Sequence, residues 1–155
     1  DGALDFGATA PSRANGGPQA GRVTVHSGRS GEVLHVFDGQ PGWRLGNTVA
    51  GRVDVDADGV TDVLVGAPGT GPLPGRALVY SGATGDLLHT FSDGEAGDQF
   101  GLEVCGLEDL DDDGHDEVAV GAWKSDAHGV DAGRVAVFSG ATGEELFGIA
   151  GAAAG

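Results

Sequence analysis

The chain is short of three things that small folds commonly draw on. Only one of its 155 residues, Cys105, is a cysteine, so no disulfide can close within it and the sulfur framework of many small secreted domains is excluded. A single cysteine does not by itself fix a compartment. Basic residues are scarce, with 8 Lys and Arg against 24 Asp and Glu for a formal net charge of -16. That argues against nucleic acid as a partner, because phosphate backbones demand cationic side chains, and anionic membranes are disfavoured on the same ground. Long hydrophobic runs are missing as well. No stretch is long enough for direct membrane insertion, no charged-then-apolar leader opens the chain, and there is no Asn-x-Ser/Thr acceptor. The absent leader carries little weight, since the first residue falls inside a motif. No window sustains apolar residues at helical spacing either.

What the chain does have is glycine, at 31 positions, without the third-residue period of collagen and without low hydrophobicity. Short branched runs such as Val63-Leu64-Val65 and Val118-Ala119-Val120 are bounded by Gly or Asp, which reads as many tight turns between short strands. The stretch Asp54-Val55-Asp56-Ala57-Asp58-Gly59-Val60-Thr61-Asp62 alternates carboxylates with other residues and then turns on a glycine. Asp109-Leu110-Asp111-Asp112-Asp113-Gly114-His115-Asp116-Glu117 repeats it, and the opening Asp1-Gly2-Ala3-Leu4-Asp5 has the form of the tail of a third copy.

The rest of the chain repeats in step. Arg22-Val23-Thr24-Val25-His26-Ser27-Gly28 matches the segments that begin at Arg76 and Arg134, at intervals of 54 and 58 residues. Each is followed by the same turn chemistry, as in Ala83-Thr84-Gly85-Asp86, and then by an apolar run such as Leu87-Leu88-His89-Thr90-Phe91. Four strands per repeat follow, expected in the second copy near 45–53, 63–66, 76–80 and 87–91. A period of this size with four strands points to β-propeller blades, with a β-sandwich as the plainer alternative. The approximate blades are 1–42, 43–97 and 98–155. The connections Pro11 to Gly21, Pro68 to Gly75 and Trp123 to Gly133 vary most between copies. Such loops on a repeated scaffold are where partners are met, or where unconstrained turns drift.

Carboxylates at every second position can converge on a hard cation when the backbone curls, which makes calcium the expected ligand. An EF-hand is excluded by spacing, because its closing Glu at position twelve would fall on Val65 and Val120, inside strand runs. The closing carboxylate is instead the ninth residue. Expected ligands are the side chains of Asp54, Asp56, Asp58 and Asp62 with the carbonyl of Val60, and those of Asp109, Asp111, Asp113 and Glu117 with the carbonyl of His115. Without a cation these carboxylates would repel one another, whereas the rival reading treats Asp and Gly merely as good turn formers. Asp1 and Asp5 are at best a remnant.

The repeats also weigh against catalysis. His26 aligns with Tyr80 and Phe138, His35 and His89 align with Phe147, and all three histidines read as strand or packing positions. Cys105 aligns with Ala50 and reads as a small buried residue rather than a reactive thiol. His128 lies alone in a variable loop, and neither a phosphate-binding glycine loop nor a zinc cluster occurs. No enzyme is expected.

Phe100-Gly101 opening one repeat and Gly66-Ala67-Pro68 following the aspartate loop of another resemble the FG-GAP repeats of integrin alpha-chain propellers and of many bacterial secreted proteins. Leu45-Gly46, Thr9-Ala10-Pro11 and Gly121-Ala122-Trp123 are the departures. The resemblance implies an all-β fold in which about three blades form part of an incomplete, seven-bladed propeller, with calcium loops on one rim and ligand contacts on the opposite face. It implies structural Ca2+, an extracellular or cell-surface setting, a role in adhesion or protein recognition, and the remaining blades of a parent chain as partners. The chain starts at the fifth position of one aspartate loop and stops at Gly155, aligned with Gly97 before the next Phe-Gly is due, which reads as a segment of a longer propeller. The protein or glycan ligand stays open. The alternatives are a scaffold within an extracellular polysaccharide lyase or phospholipase-like hydrolase, and a lectin-like glycan-binding module.

Overall fold

The computed structural model describes residues 4–92, 95–126 and 129–151. Among these there is no helix, and eleven strands form three antiparallel sheets. The first sheet runs β1 (Phe6–Thr9), β2 (Arg22–His26), β3 (Val33–Asp38). The second runs β4 (Thr48–Ala50), β5 (Val63–Ala67), β6 (Arg76–Tyr80), β7 (Leu87–Phe91), and the third β8 (Glu103–Gly106), β9 (Val118–Ala122), β10 (Arg134–Phe138), β11 (Glu145–Ala150). Within each sheet, strands consecutive in sequence pair with one another, as in the blades of a β-propeller.

Local chemistry sets the hairpins. Ser27, Ser81 and Ser139 each close the turn that follows, their carbonyls accepting from Gly31, Gly85 and Gly143, while the chain re-enters through Ser N–H bonds to Glu32, Asp86 and Glu144. The serine hydroxyls accept turn amides from Ser30, Thr84 and Thr142. A register shift follows the same position in each copy, at Val25/His26, Val79/Tyr80 and Val137/Phe138.

The core lies between sheets rather than within one. Val23, Val25 and Phe37 of the first sheet meet Leu45, Val65, Ala67 and Leu78 of the second blade. On its other side, Leu64, Ala77, Val79 and Phe91 meet Phe100, Val118, Val120, Ala136 and Phe138 of the third. Alternation along β6 therefore buries Leu78 on one face and Ala77 with Val79 on the other, which explains why the middle strands read as continuously apolar. Aromatic pairs cross both seams: Phe37 stacks on Tyr80 at 3.9 Å and Phe91 on Phe138 at 4.6 Å between ring centroids.

The strand expectations for the second blade hold with two changes. β6 and β7 match, β5 extends to Ala67, and β4 is only three residues long instead of spanning 45–53. Leu45 is drawn into the seam with the first sheet, and left-handed backbone at Gly46 (φ 86°) and Arg52 (φ 66°) ends the extended run on either side. The reading of Cys105 as buried is corrected: it is exposed. It lies on the edge strand β8, where Val104 turns into the core while Glu103 and Cys105 face outward. Its counterpart Ala50 packs against the core formed with the third blade; among the described residues no further sheet does the same for Cys105.

Candidate metal centre

The loop joining β4 to β5 and the loop joining β8 to β9 carry the two aspartate motifs, and their backbones follow one course. The fourth and sixth residues are left-handed in both, Ala57 (φ 57°) and Gly59 (φ 82°) in one, Asp112 (φ 61°) and Gly114 (φ 91°) in the other. Glycine at the sixth place adopts this conformation without a steric penalty. The curl turns amides onto the carboxylates: Gly59 N donates to Asp54 Oδ2 and Gly114 N to Asp109 Oδ2, both at 2.9 Å. Asp58 N and Asp113 N donate to the other oxygen of the same aspartates, and Val60 N and His115 N donate to Asp58 and Asp113.

The ninth residues differ. Carboxylate oxygens of Asp109, Asp111, Asp113 and Glu117 all lie within 4.8 Å of one another, whereas only Asp54, Asp56 and Asp58 come together to that limit in the first loop. Asp62, 1% exposed, instead accepts Val55 N at 2.9 Å and Gly82 N at 3.0 Å. Glu117 is fully buried and accepts Leu110 N with Oε2, while its Oε1 has no hydrogen-bond partner. A carboxylate oxygen buried without a donor is costly unless a cation meets it, so the donor set at Asp109–Glu117 fits a hard, oxygen-loving ion.

Burial raises the Glu117 carboxyl above its ordinary value; Leu110 N opposes the rise, and Asp111, Asp109 and Asp113 add to it. Asp62 is raised for the same first reason, its bonds from Gly82 and Val55 opposing and Asp56 and Asp54 adding. The peptide oxygens of Val60 and His115 fall at the seventh place of each loop. In the remnant, Asp5 accepts Gly28 N at 3.0 Å, as Asp62 does from Gly82; Asp1 lies outside the described residues.

No family model matches the chain. It is 32% identical over 122 residues to integrin alpha-4 of Xenopus laevis and 34% identical over 132 residues to human integrin alpha-11, matches that cover 70% and 79% of this chain. Integrin alpha pat-2 of Caenorhabditis elegans is 35% identical over 61% of it. The chain is built of integrin alpha-type FG-GAP repeats. It spans only 12%, 11% and 8% of the length of these relatives.

The FG-GAP signature residues meet physically at the seam between blades. Phe100 is buried and Gly101 N donates to Gly121 O at 3.0 Å. A Cβ on Gly101 would strike the Arg76 carbonyl, and one on Gly66 would strike Gly101 O, so the FG of one repeat and the GAP of the preceding one need bare backbone. Leu45-Gly46 sits likewise at the earlier seam, where a Cβ on Gly46 would crowd Val23 and the Arg22 carbonyl of the first sheet.

The described histidines His26, His35, His89 and His115 each hold a backbone carbonyl. His35 Nε2 donates to Gly82 O at 3.0 Å and His89 Nε2 to Gly140 O at 2.6 Å, so these repeat-equivalent side chains tie each blade to the Ser-Gly turn of the next as well as packing there. His26 stacks on Phe6 and bonds Gly31 O, and His128 lies outside the described residues. What sequence reasoning missed is the Ser-Gly glycine. Gly28, Gly82 and Gly140 each press on the carbonyl of the eighth loop residue, Leu4, Thr61 and Asp116. The recurring Ser-Gly was visible, but nothing in the spacing says that it meets a loop some twenty residues earlier.

Proposed function

We propose that this chain is a calcium-stabilised segment of a β-propeller in a secreted or cell-surface protein that serves adhesion or protein recognition. The observation that carries the metal reading is Glu117, fully buried with Oε1 unpartnered in a group of three aspartates. The ligands are the side chains of Asp109, Asp111, Asp113 and Glu117 with the His115 carbonyl, and in the second site Asp54, Asp56 and Asp58 with the Val60 carbonyl, Asp62 standing behind them on the amides of Val55 and Gly82. The ion's role is structural, closing the link between the first two strands of a blade and binding only the folded state.

Recognition falls to the opposite end of the strands, where β5 connects to β6 and β9 to β10. That end is irregular and exposed, with Val130 at 83% and Trp123 at 56% exposure and a cavity of about 240 Å³ bordered by Arg44, Thr70, Leu73 and Gln99. The kinship to integrin alpha chains supports a protein ligand, with the rest of a larger propeller as the intramolecular partner.

Melting in excess calcium and then in chelator tests the metal reading. Saturation to a hundredfold above Kd stabilises by about 2.7 kcal/mol, a shift of roughly 5–10 °C for a chain of this size. Asp58→Ala reduces the shift and Asp58→Ala with Asp111→Ala abolishes it. An unchanged melting temperature in the parent chain rules out the assignment.

A further inference from the structure

The two aspartate loops touch. Asp54 N, at the first place of one loop, donates to Asp116 Oδ2 of the other at 2.9 Å, and Asp116 N returns a bond to Asp54 O at 3.1 Å. His115 Nδ1 donates to Val55 O at 2.7 Å. These contacts cross the seam between blades and join the backbone beside one candidate ligand, Asp54, to the backbone beside another, Glu117. The residues matching His115 and Asp116 in the first loop are Val60 and Thr61, neither of which has a carboxylate or an imidazole to offer.

We infer that the two loops take up cations as a coupled pair, with Asp116 and His115 as the positioning residues that carry the coupling. The inference rests on the calcium reading above. A cation that fixes Glu117 fixes the peptide of Asp116 next to it, and the paired hydrogen bonds then hold Asp54 in its first-ligand place. The ordering needed at one site is thereby partly completed by filling the other, and linkage makes the effect reciprocal. Asp116 points its carboxylate at a backbone amide of the neighbouring loop and so acts through Asp54 rather than as a ligand.

The test is a titration of the whole 155-residue chain with calcium chloride, followed by the amide resonances of Gly59 and Gly114, one in each loop. In Asp116→Ala and in Asp109→Ala the Gly59 midpoint moves to calcium concentrations about fivefold higher, in the usual range of site coupling. Asp116→Asn, which keeps an acceptor oxygen for Asp54 N, stays within about twofold of the parent. A Gly59 midpoint unmoved in Asp109→Ala and Asp116→Ala overturns the coupling while leaving the calcium reading intact. An Asn variant as weak as the Ala variant overturns the hydrogen-bond route in favour of bare charge. If neither glycine shifts in the parent chain, the calcium reading falls and the coupling with it. Asp109→Ala and Asp116→Asn keep the test decisive should Asp116→Ala fail to fold.

Discussion

Glu117 and Asp62 occupy the same place in two repeats yet satisfy their oxygens differently. Asp62 has both oxygens bonded to amides, from Val55 and Gly82, whereas the longer Glu117 reaches the aspartate group and leaves Oε1 bare. Both carboxyls are raised by burial, and the sign of the pH effect follows. A folded-state pKa above the unfolded one means that the folded chain binds more protons through the window that opens at the ordinary carboxylate range and extends upward. The stability held below that window is therefore lost as pH rises through it. In chelator, the melting temperature falls as pH rises above the ordinary carboxylate range, and Glu117→Gln, which removes one titrating group, flattens the fall. Calcium reverses the slope, because the ion needs the deprotonated form. Melting curves at several pH values in chelator and in calcium check both, and a Glu117→Gln slope as steep as the parent's removes Glu117 from the account.

Among the hairpins, the turn after each third strand does more than reverse the chain. Its glycine lies against the carbonyl of the eighth loop residue and, in the first two copies, donates to the ninth. Gly82→Ala drives a Cβ into the Thr61 carbonyl, which the short connection cannot yield to, and overpacking of this kind destabilises by about 3 kcal/mol. At Gly31, which has left-handed φ (74°) but open space around it, alanine costs only about 1 kcal/mol. Denaturant titration of the two variants separates steric contact from backbone conformation, and equal losses exclude the contact. The same residues mark what was legible in the sequence. Repeat length, strand order and the aspartate spacing are periodic and local, so they show directly. The meeting of Gly82 with Asp62, the bond from Asp116 to Asp54 and the exposure of Cys105 depend on which sheet covers which face, and residue spacing does not encode that.

Over the whole chain, stability is carried by two seams, and the repeats provide their own control for testing this. Phe37, Phe91 and Ile149 hold the same place in the last strand of each sheet, and their exposures are 6%, 3% and 62%. The first two are covered by the following blade, Phe91 stacking on Phe138 at 4.6 Å. Ile149 belongs to an open apolar face with Val135 and Phe147, 43% and 48% exposed. Phe91→Ala deletes an aromatic contact across the second seam and is expected to destabilise by about 3–5 kcal/mol. Ile149→Ala, at the same strand position but 62% exposed, changes stability by less than about 0.5 kcal/mol. Because neighbouring repeats are coupled only through their shared interface, Phe91→Ala also splits the melt into two transitions, the third blade unfolding first. Hydrogen exchange would show this as early loss of protection in β8 to β11 while β4 to β7 stay closed. A single cooperative melt with a loss near that of Ile149→Ala would mean that the seam at Phe91 does not hold the blades together.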